Sequence, residues 1–223
     1  MNKFVITIDG PAASGKGSLS KEISEDLNFF YMETGIYYRG FASIFYQNKV
    51  NILDLPSFIS NLNVTDLIEH IIHNKKLLYS TKVTKLASNL AKNKEIRSFI
   101  VKIQQDMIIT LEKKFNGIIL EGRDCGSVIA PEAELKFYLT ASLKVRAERR
   151  FNQLVKDKKK ISYEQVLIDL RERDAQDKNR KHSPLQKPKG AIVINNSDYN
   201  FEETINIVKN IIFSRIPTLK SKI

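Results

Sequence analysis

One stretch near the amino terminus constrains the fold of this chain more than any other. A β-branched apolar run, Phe4-Val5-Ile6-Thr7-Ile8, leads into Gly10-Pro11-Ala12-Ala13-Ser14-Gly15-Lys16-Gly17-Ser18. Leu19, Ile23 and Leu27 follow at helical spacing. A strand that ends in a glycine-framed loop and restarts as a helix needs small residues where the backbone turns. Such a loop aims backbone N–H groups and a helix N-terminus at whatever it encloses. Lys16 and Ser18, at the start of that helix, add a positive charge and a hydroxyl, so the segment is a phosphate-binding loop. Gly17 separates the lysine from Ser18, where the commonest form has the hydroxyl directly after lysine. Lys16 is expected on a solvent-facing loop.

The rest of the chain continues the alternation. Strand-like runs fall at 4–8, 29–32, 118–120, 135–139 and 191–194, and helical patterns at 15–27, 36–47, 82–93, 96–113, 143–156, 163–177 and 201–213. Strands alternating with helices imply an α/β fold, a parallel five-stranded sheet flanked by helices. Two stretches break the rhythm: 51–81 mixes helix and strand signals, and 157–162 is a charged loop between two helices. Both are expected as insertions over the ligand edge of the sheet. With no repeat or linker, residues 1–223 read as one domain.

Composition excludes some classes. No apolar run approaches the roughly 20 residues needed to span a bilayer, and Met1-Asn2-Lys3 lacks the features of a secretory signal. A single cysteine, Cys125, forms no intrachain disulfide and is expected as a buried thiol, which suits a reducing cytoplasm. The net charge of +11 suits polyanionic partners without choosing among them. The lysine runs lack interleaved aromatics, so neither nucleic acid nor membrane is expected as a partner. His70 and His73 have no third ligand nearby and read as solvated or hydrogen-bonded histidines.

Three more clusters carry chemistry. Glu33-Thr34-Gly35-Ile36-Tyr37-Tyr38-Arg39 follows the second strand, and Glu121-Gly122-Arg123-Asp124-Cys125-Gly126 follows the third. Both therefore stand at the carboxyl edge of the sheet, where open α/β sheets bind ligands. Arg173, Asp177 and Arg180 recur at intervals of four and three, on one helix face. Read alone, that third group fits a solvated ion-pair ladder at least as well as a site.

Taken in order, I-D-G-P-x-x-x-G-K-G-S, E-T-G-x-x-Y-R, E-G-R-D-x-G-S-V-I-x-P and E-R-D-x-x-D-x-x-R-x-x-x-P-L resemble bacterial cytidylate kinases, from Ile8 to Leu185. The resemblance implies a P-loop nucleoside-monophosphate kinase core with an NMP-binding insertion at 36–91 and a lid at 154–180. The activity it implies is transfer of the γ-phosphoryl group of ATP to CMP or dCMP, in the cytoplasm, by a monomer. It implies that Arg39 and Arg123 grip the CMP phosphate, that Ser88, Arg97 and Asp124 face cytosine, and that Arg173 and Asp177 meet the ribose, with Thr34 and Tyr38 beside them. Lys16, Arg123 and Arg180 become the catalytic set, and Arg146 and Arg150 close with the lid over ATP. Mg²⁺ is expected on Ser18 directly and on Glu33 and Glu121 through water. The chain departs from the family pattern at Glu33 and Glu121, where aspartate is usual, at Gln176, where a basic residue is usual, and in the short stretch 51–81.

A phosphate oxygen is already largely ionised near neutral pH, its second pKa being about 6, so the transfer needs no general base. Rival readings are a kinase for UMP, AMP or shikimate, and a nucleic-acid-binding ATPase, which nucleic acid would stimulate.

Overall fold

The computed structural model describes residues 4–158 and 160–222. Met1–Lys3, Lys159 within the expected lid loop and Ile223 lie outside the described residues. The elements run β1 (Phe4–Asp9), α1 (Lys16–Asp26), β2 (Phe30–Glu33), α2 (Gly35–Gln47), α3 (Leu55–Asn61), α4 (Val64–His73), α5 (Lys75–Leu78), α6 (Thr81–Leu90) and α7 (Lys94–Leu111). They continue with β3 (Gly117–Gly122), β4 (Leu135–Thr140), α8 (Leu143–Lys156), α9 (Tyr163–Asn179), β5 (Ile192–Asn195) and α10 (Phe201–Arg215). Two compact units result, one of Met1–Met32 with Leu111–Ile223 and one of Glu33–Thr110.

In the first unit the strands form a five-stranded parallel sheet in the order β2-β3-β1-β4-β5. β1 lies centrally, with Ile8 opposite Glu121 and Asp9 opposite Gly122 on β3, and Asp9 opposite Tyr138 on β4. Every residue of β3 is buried, as expected of a strand covered on both faces. Ile6, Ile8, Leu19, Ile23, Phe137, Leu139, Val208 and Ile212 form one apolar core joining the sheet to α1 and α10. A second cluster, Ala12, Ala147, Leu154, Val166 and Leu170, packs α8 against α9, with the Phe151 and Tyr163 rings edge to face at 6.1 Å. Serine caps start both helices: Ser142 Oγ accepts from Val145 N–H and Ser162 Oγ from Gln165 N–H.

The second unit starts at Glu33, the last residue of β2, and is otherwise built of helices joined by short turns. Phe41 is fully buried on α2, with the rings of Phe45, Phe58 and Phe99 around it. The stretch 51–81, expected to mix helix with strand, contains a 3₁₀ turn at Ile52–Asp54 followed by α3, α4 and α5, and no strand. Local capping explains the outcome: Asn51 and Asn63 side chains accept from the N–H groups of Leu53 and Thr65. Leu67 and Ile71 then recur at helical spacing and are buried. His70 Nε2 lies 2.9 Å from Ser43 Oγ and is half-buried, a hydrogen-bonded histidine. Among the described residues no helix is long and apolar enough to cross a membrane.

Candidate active site

The loop at 10–18 is shaped by close approach. Gly10 leaves β1 at a φ of 156°, and a Cβ there would sit 2.0 Å from the Leu139 carbonyl oxygen, so only glycine fits. Ala13 turns the chain through the left-handed region at a φ of 58°.

Side chains from distant elements moor this loop. Asn196 Nδ2 donates to the Ser14 carbonyl (3.2 Å), and Arg146 Nη1 donates to the Ala12 carbonyl (3.0 Å). The Ala12 N–H donates to Asp174 Oδ1 (3.3 Å), whose Oδ2 lies 2.6 Å from Arg146 Nη1. Arg149 braces Asn196 through its side-chain oxygen (3.0 Å) and its carbonyl (2.8 Å). Arg146, expected over ATP, is thus buried at the root of the loop, also donating from Nε to Ala141. Arg150 is half-buried and donates to Gln153 Oε1 (2.8 Å).

Lys16 is not solvent-facing. It is 5% exposed, its Nζ donating to the Pro11 carbonyl (3.0 Å) and standing 3.3 Å from Glu121 Oε1 at the end of β3. The loop folds back over the first turn of α1 and covers the side chain that the sequence pattern alone left outside. The Lys16 pKa is lowered to about 8, first by burial and then by the Arg123 charge, with Glu121 opposing and Arg173 adding to the lowering. The Tyr31 hydroxyl donates to Glu121 Oε2 at 3.5 Å. Ser18 is exposed on the first turn of α1. A Cβ built at Gly17 would sit 3.8 Å from Glu121 Oε2, so this carboxylate overlies the same turn.

Beyond β3 the chain passes through Arg123 and Asp124 into a single π-helical turn, Cys125–Ile129. The Ile129 N–H donates to Asp124 O (3.2 Å) and the Ala130 N–H to Cys125 O (2.7 Å). Such turns recur at functional sites because they redirect a few side chains. Asp9, at the end of β1, fixes this one: its two carboxylate oxygens accept from the N–H groups of Cys125 and Gly126, each at 2.8 Å. Burial pushes the Asp9 pKa up to about 6, with the two N–H groups pulling the other way. The Cys125 side chain is fully buried, as expected.

The charged residues of this unit converge. Arg123 Nε is 2.9 Å from Asp177 Oδ2, and its Nη1 donates to the Gly122 carbonyl (3.1 Å). Arg180 stands 3.6 Å from Asp177 Oδ1 and 3.9 Å from Asp124 Oδ1. Burial alone would raise the Asp177 pKa, yet Arg123, Arg173 and Arg180 outweigh it and hold the carboxyl low. Burial works equally against the Arg123 charge, and Asp177 and Glu121 outweigh it, raising its pKa. Arg180 lies just past α9 with an extended ψ of 140°, and its side chain still turns back beside Asp177. The Leu185 N–H closes this exit on the Asp177 carbonyl (2.7 Å).

The second unit carries the other expected residues. Thr34 is buried ahead of α2, and its carbonyl accepts from Gln104 Nε2 (2.8 Å). Arg39 Nη1 donates to Glu33 Oε1 (2.9 Å), its guanidinium lies 4.5 Å from the centre of the Tyr79 ring, and the Tyr79 hydroxyl donates to Glu33 Oε2. Arg97 is buried on α7, donating from Nε to Ala91 O (3.1 Å), with its guanidinium 5.1 Å from the Tyr38 ring. Ser88 is half-buried on α6.

Sequence reasoning missed Asp9, Asp174, Asn196 and Tyr79. The first two had a signal, since each is the acid of a motif, I-D-G-P or E-R-D, to which no role was given. Asn196 and Tyr79 had none, their partners being remote in the chain.

The profile of the cytidylate kinase family matches residues 6–214, which takes in every site residue described above. The chain belongs to the cytidylate kinase family. A cytidylate kinase of Bartonella bacilliformis is 37% identical over 203 residues, 91% of each chain. One from Clostridium botulinum strain Loch Maree is 35% identical over 219 residues, spanning 95% of this chain and 99% of its own. A solved structure of a Thermus thermophilus protein superposes with a TM-score of 0.52 at 14% identity, covering 97% of this chain and 99% of that one, and so shares the fold. As a member of the cytidylate kinase family the chain is a nucleotide kinase, and ATP-dependent phosphoryl transfer is the family's chemistry.

Proposed function

We propose that this enzyme transfers the γ-phosphoryl group of ATP to CMP or dCMP, giving ADP and CDP or dCDP. The observation that carries the reading is the cluster of buried and half-buried charges beside the phosphate-binding loop, where Lys16, Arg123, Arg173 and Arg180 stand among Glu121, Asp124 and Asp177.

The chemistry asks for little more. The acceptor phosphate is its own nucleophile near neutral pH, so alignment and charge neutralisation remain. We assign the ATP phosphates to the backbone of Gly10, Pro11, Ala12, Ala13, Ser14, Gly15 and Gly17, with Ser18. Lys16, held by Pro11 and Glu121, meets the transferring phosphoryl group in place. Arg123 and Arg180 spread positive charge around that group, and their carboxylate partners fix them beforehand, so little reorganises during transfer. Arg173 and Asp177 are assigned to the ribose, and Thr34, Tyr38, Arg39, Ser88, Arg97 and Asp124 to the phosphate and base of the acceptor.

Ser18, on the first turn of α1, and Glu121, whose carboxylate lies over that turn from the end of β3, are a hydroxyl and a carboxylate that suit Mg²⁺. Bound with ATP, the metal would neutralise charge on the phosphate oxygens. Both carboxylate oxygens of Glu33 are engaged, by Arg39 and Tyr79, as those of Glu121 are by Lys16 and Tyr31, so either carboxylate would meet the metal through its bound water. Residues 36–91 are assigned as the acceptor-binding insertion and 154–180 as the lid, in a cytoplasmic monomer acting on free nucleotides.

A coupled assay with ATP and each common NMP and dNMP tests the reading. CMP and dCMP are the expected acceptors; UMP, AMP or a non-nucleotide used in their place overturns it.

A further inference from the structure

We propose that Tyr79 is a positioning residue for the acceptor phosphate, holding the Arg39 guanidinium in its working orientation by its ring and through Glu33. The inference rests on the reading of Arg39 as a ligand of that phosphate.

Three elements meet at this point: Glu33 ends β2, Arg39 lies on α2, and Tyr79 follows α5. Arg39 Nη1 donates to Glu33 Oε1 at 2.9 Å, the Tyr79 hydroxyl donates to Glu33 Oε2, and the guanidinium lies 4.5 Å from the ring centre. The three contacts close a ring. Stacking uses the face of a guanidinium, while a phosphate is bound by its N–H edge. Tyr79 can therefore fix the plane of Arg39 without competing for the donors an acceptor would use. A long side chain held in this way has already lost much of the rotamer freedom that binding would otherwise remove.

From the end of β2 the Glu33 side chain gives one carboxylate oxygen to Arg39 and the other to Tyr79, a reach that aspartate, one methylene shorter, lacks. Tyr79 belongs to the short, all-helical stretch 51–81. At 47% exposed, Tyr79 is not a core residue, so packing of the unit does not account for its place.

The test compares KM for CMP, KM for ATP and kcat in the full chain and in Tyr79→Phe, Tyr79→Leu, Glu33→Asp and the double variant Tyr79→Phe with Glu33→Asp. Tyr79→Leu is expected to raise KM for CMP by about 5-fold to 30-fold, from the loss of a cation–π contact and a hydrogen bond to a charged group. KM for ATP and kcat at saturating CMP should stay unchanged, and Tyr79→Phe, which keeps the ring, should recover part of the loss. Glu33→Asp should raise KM for CMP less in the Tyr79→Phe background than in the wild type, since two residues acting through one contact are not additive. An unchanged KM for CMP in Tyr79→Leu, equal rises in both KM values, or full additivity in the cycle overturns the inference. Should Tyr79→Leu fold poorly, the cycle of conservative variants decides alone. A wild-type enzyme that does not use CMP removes the underlying reading, a failure visible before any variant is assayed.

Discussion

Asp9→Asn is expected to remove the pH dependence of stability that the buried carboxylate imposes. The Asp9 pKa rises from the ordinary 3.8 to about 6 in the folded chain, so the folded state holds this proton more tightly than the unfolded state does. Its contribution to stability is therefore fully present below pH 3.8 and is lost as pH rises through about 6. At about 1.4 kcal/mol per pH unit the gap amounts to about 3 kcal/mol, of which about 2 falls between pH 4.5 and 7.5. Asparagine carries no charge and drops this dependence, though its NH₂ leaves one of the two N–H groups of Cys125 and Gly126 without an acceptor. That second cost, about 1–3 kcal/mol, is constant with pH. Urea unfolding of both proteins across this range should show the variant gaining about 2 kcal/mol on the wild type as pH rises. Stability is a better readout than turnover, because the acceptor phosphate also titrates near pH 6. A difference between the two proteins that does not change with pH would refute the reasoning.

Lys16→Met is expected to abolish phosphoryl transfer and, by stranding the buried Glu121 carboxylate, to cost about 3 kcal/mol of stability. Adding Glu121→Gln should restore the unfolding midpoint but not activity; near-normal turnover in either variant would remove Lys16 from the mechanism. Asp124→Asn should narrow the preference for CMP over UMP by about 5-fold to 150-fold, mainly through poorer use of CMP, because an acceptor of the cytosine amino group becomes a mixed amide. Equal use of CMP and UMP by the wild type contradicts this account of base choice. Nucleotide binding should slow hydrogen exchange at the helix ends around 154–164, measured with CMP and an unreactive ATP analogue; unchanged exchange there counts against a closing lid.

The sheet and its helices were legible because strand and helix periodicities are local. β-branched or aromatic runs marked all five strands, and every helix expected in the chain is present within a few residues. The stretch 51–81 misled because its apolar residues are clustered, and the deciding contribution came from two asparagine caps that periodicity does not weigh. At the site, residue types were readable and their partners were not. The phosphate-loop motif named Lys16 and the family resemblance named Arg146, but Lys16 is paired with Glu121 on β3, and Arg146 is tied to Ala12 across 134 positions of sequence. Asp9 illustrates the same limit: its carboxylate meets N–H groups 116 and 117 positions away.

The mooring of Ala12 also fixes where the hairpin of α8 and α9 can pivot. Arg146 lies in the first turn of α8 and Asp174 in the last two turns of α9, and both bond to the same loop residue and to each other. Both helices are therefore clamped at one end, while their far ends, at Lys156 and Tyr163, are joined by a loop. From Arg146 to Lys156 the lever arm is about 15 Å. A tilt of about 10° about the clamp would carry the tip by ~2.5 Å while leaving Ala12 where it is. In the lid proposed above the hairpin would therefore turn like a door on a jamb, with the phosphate-binding loop as the jamb.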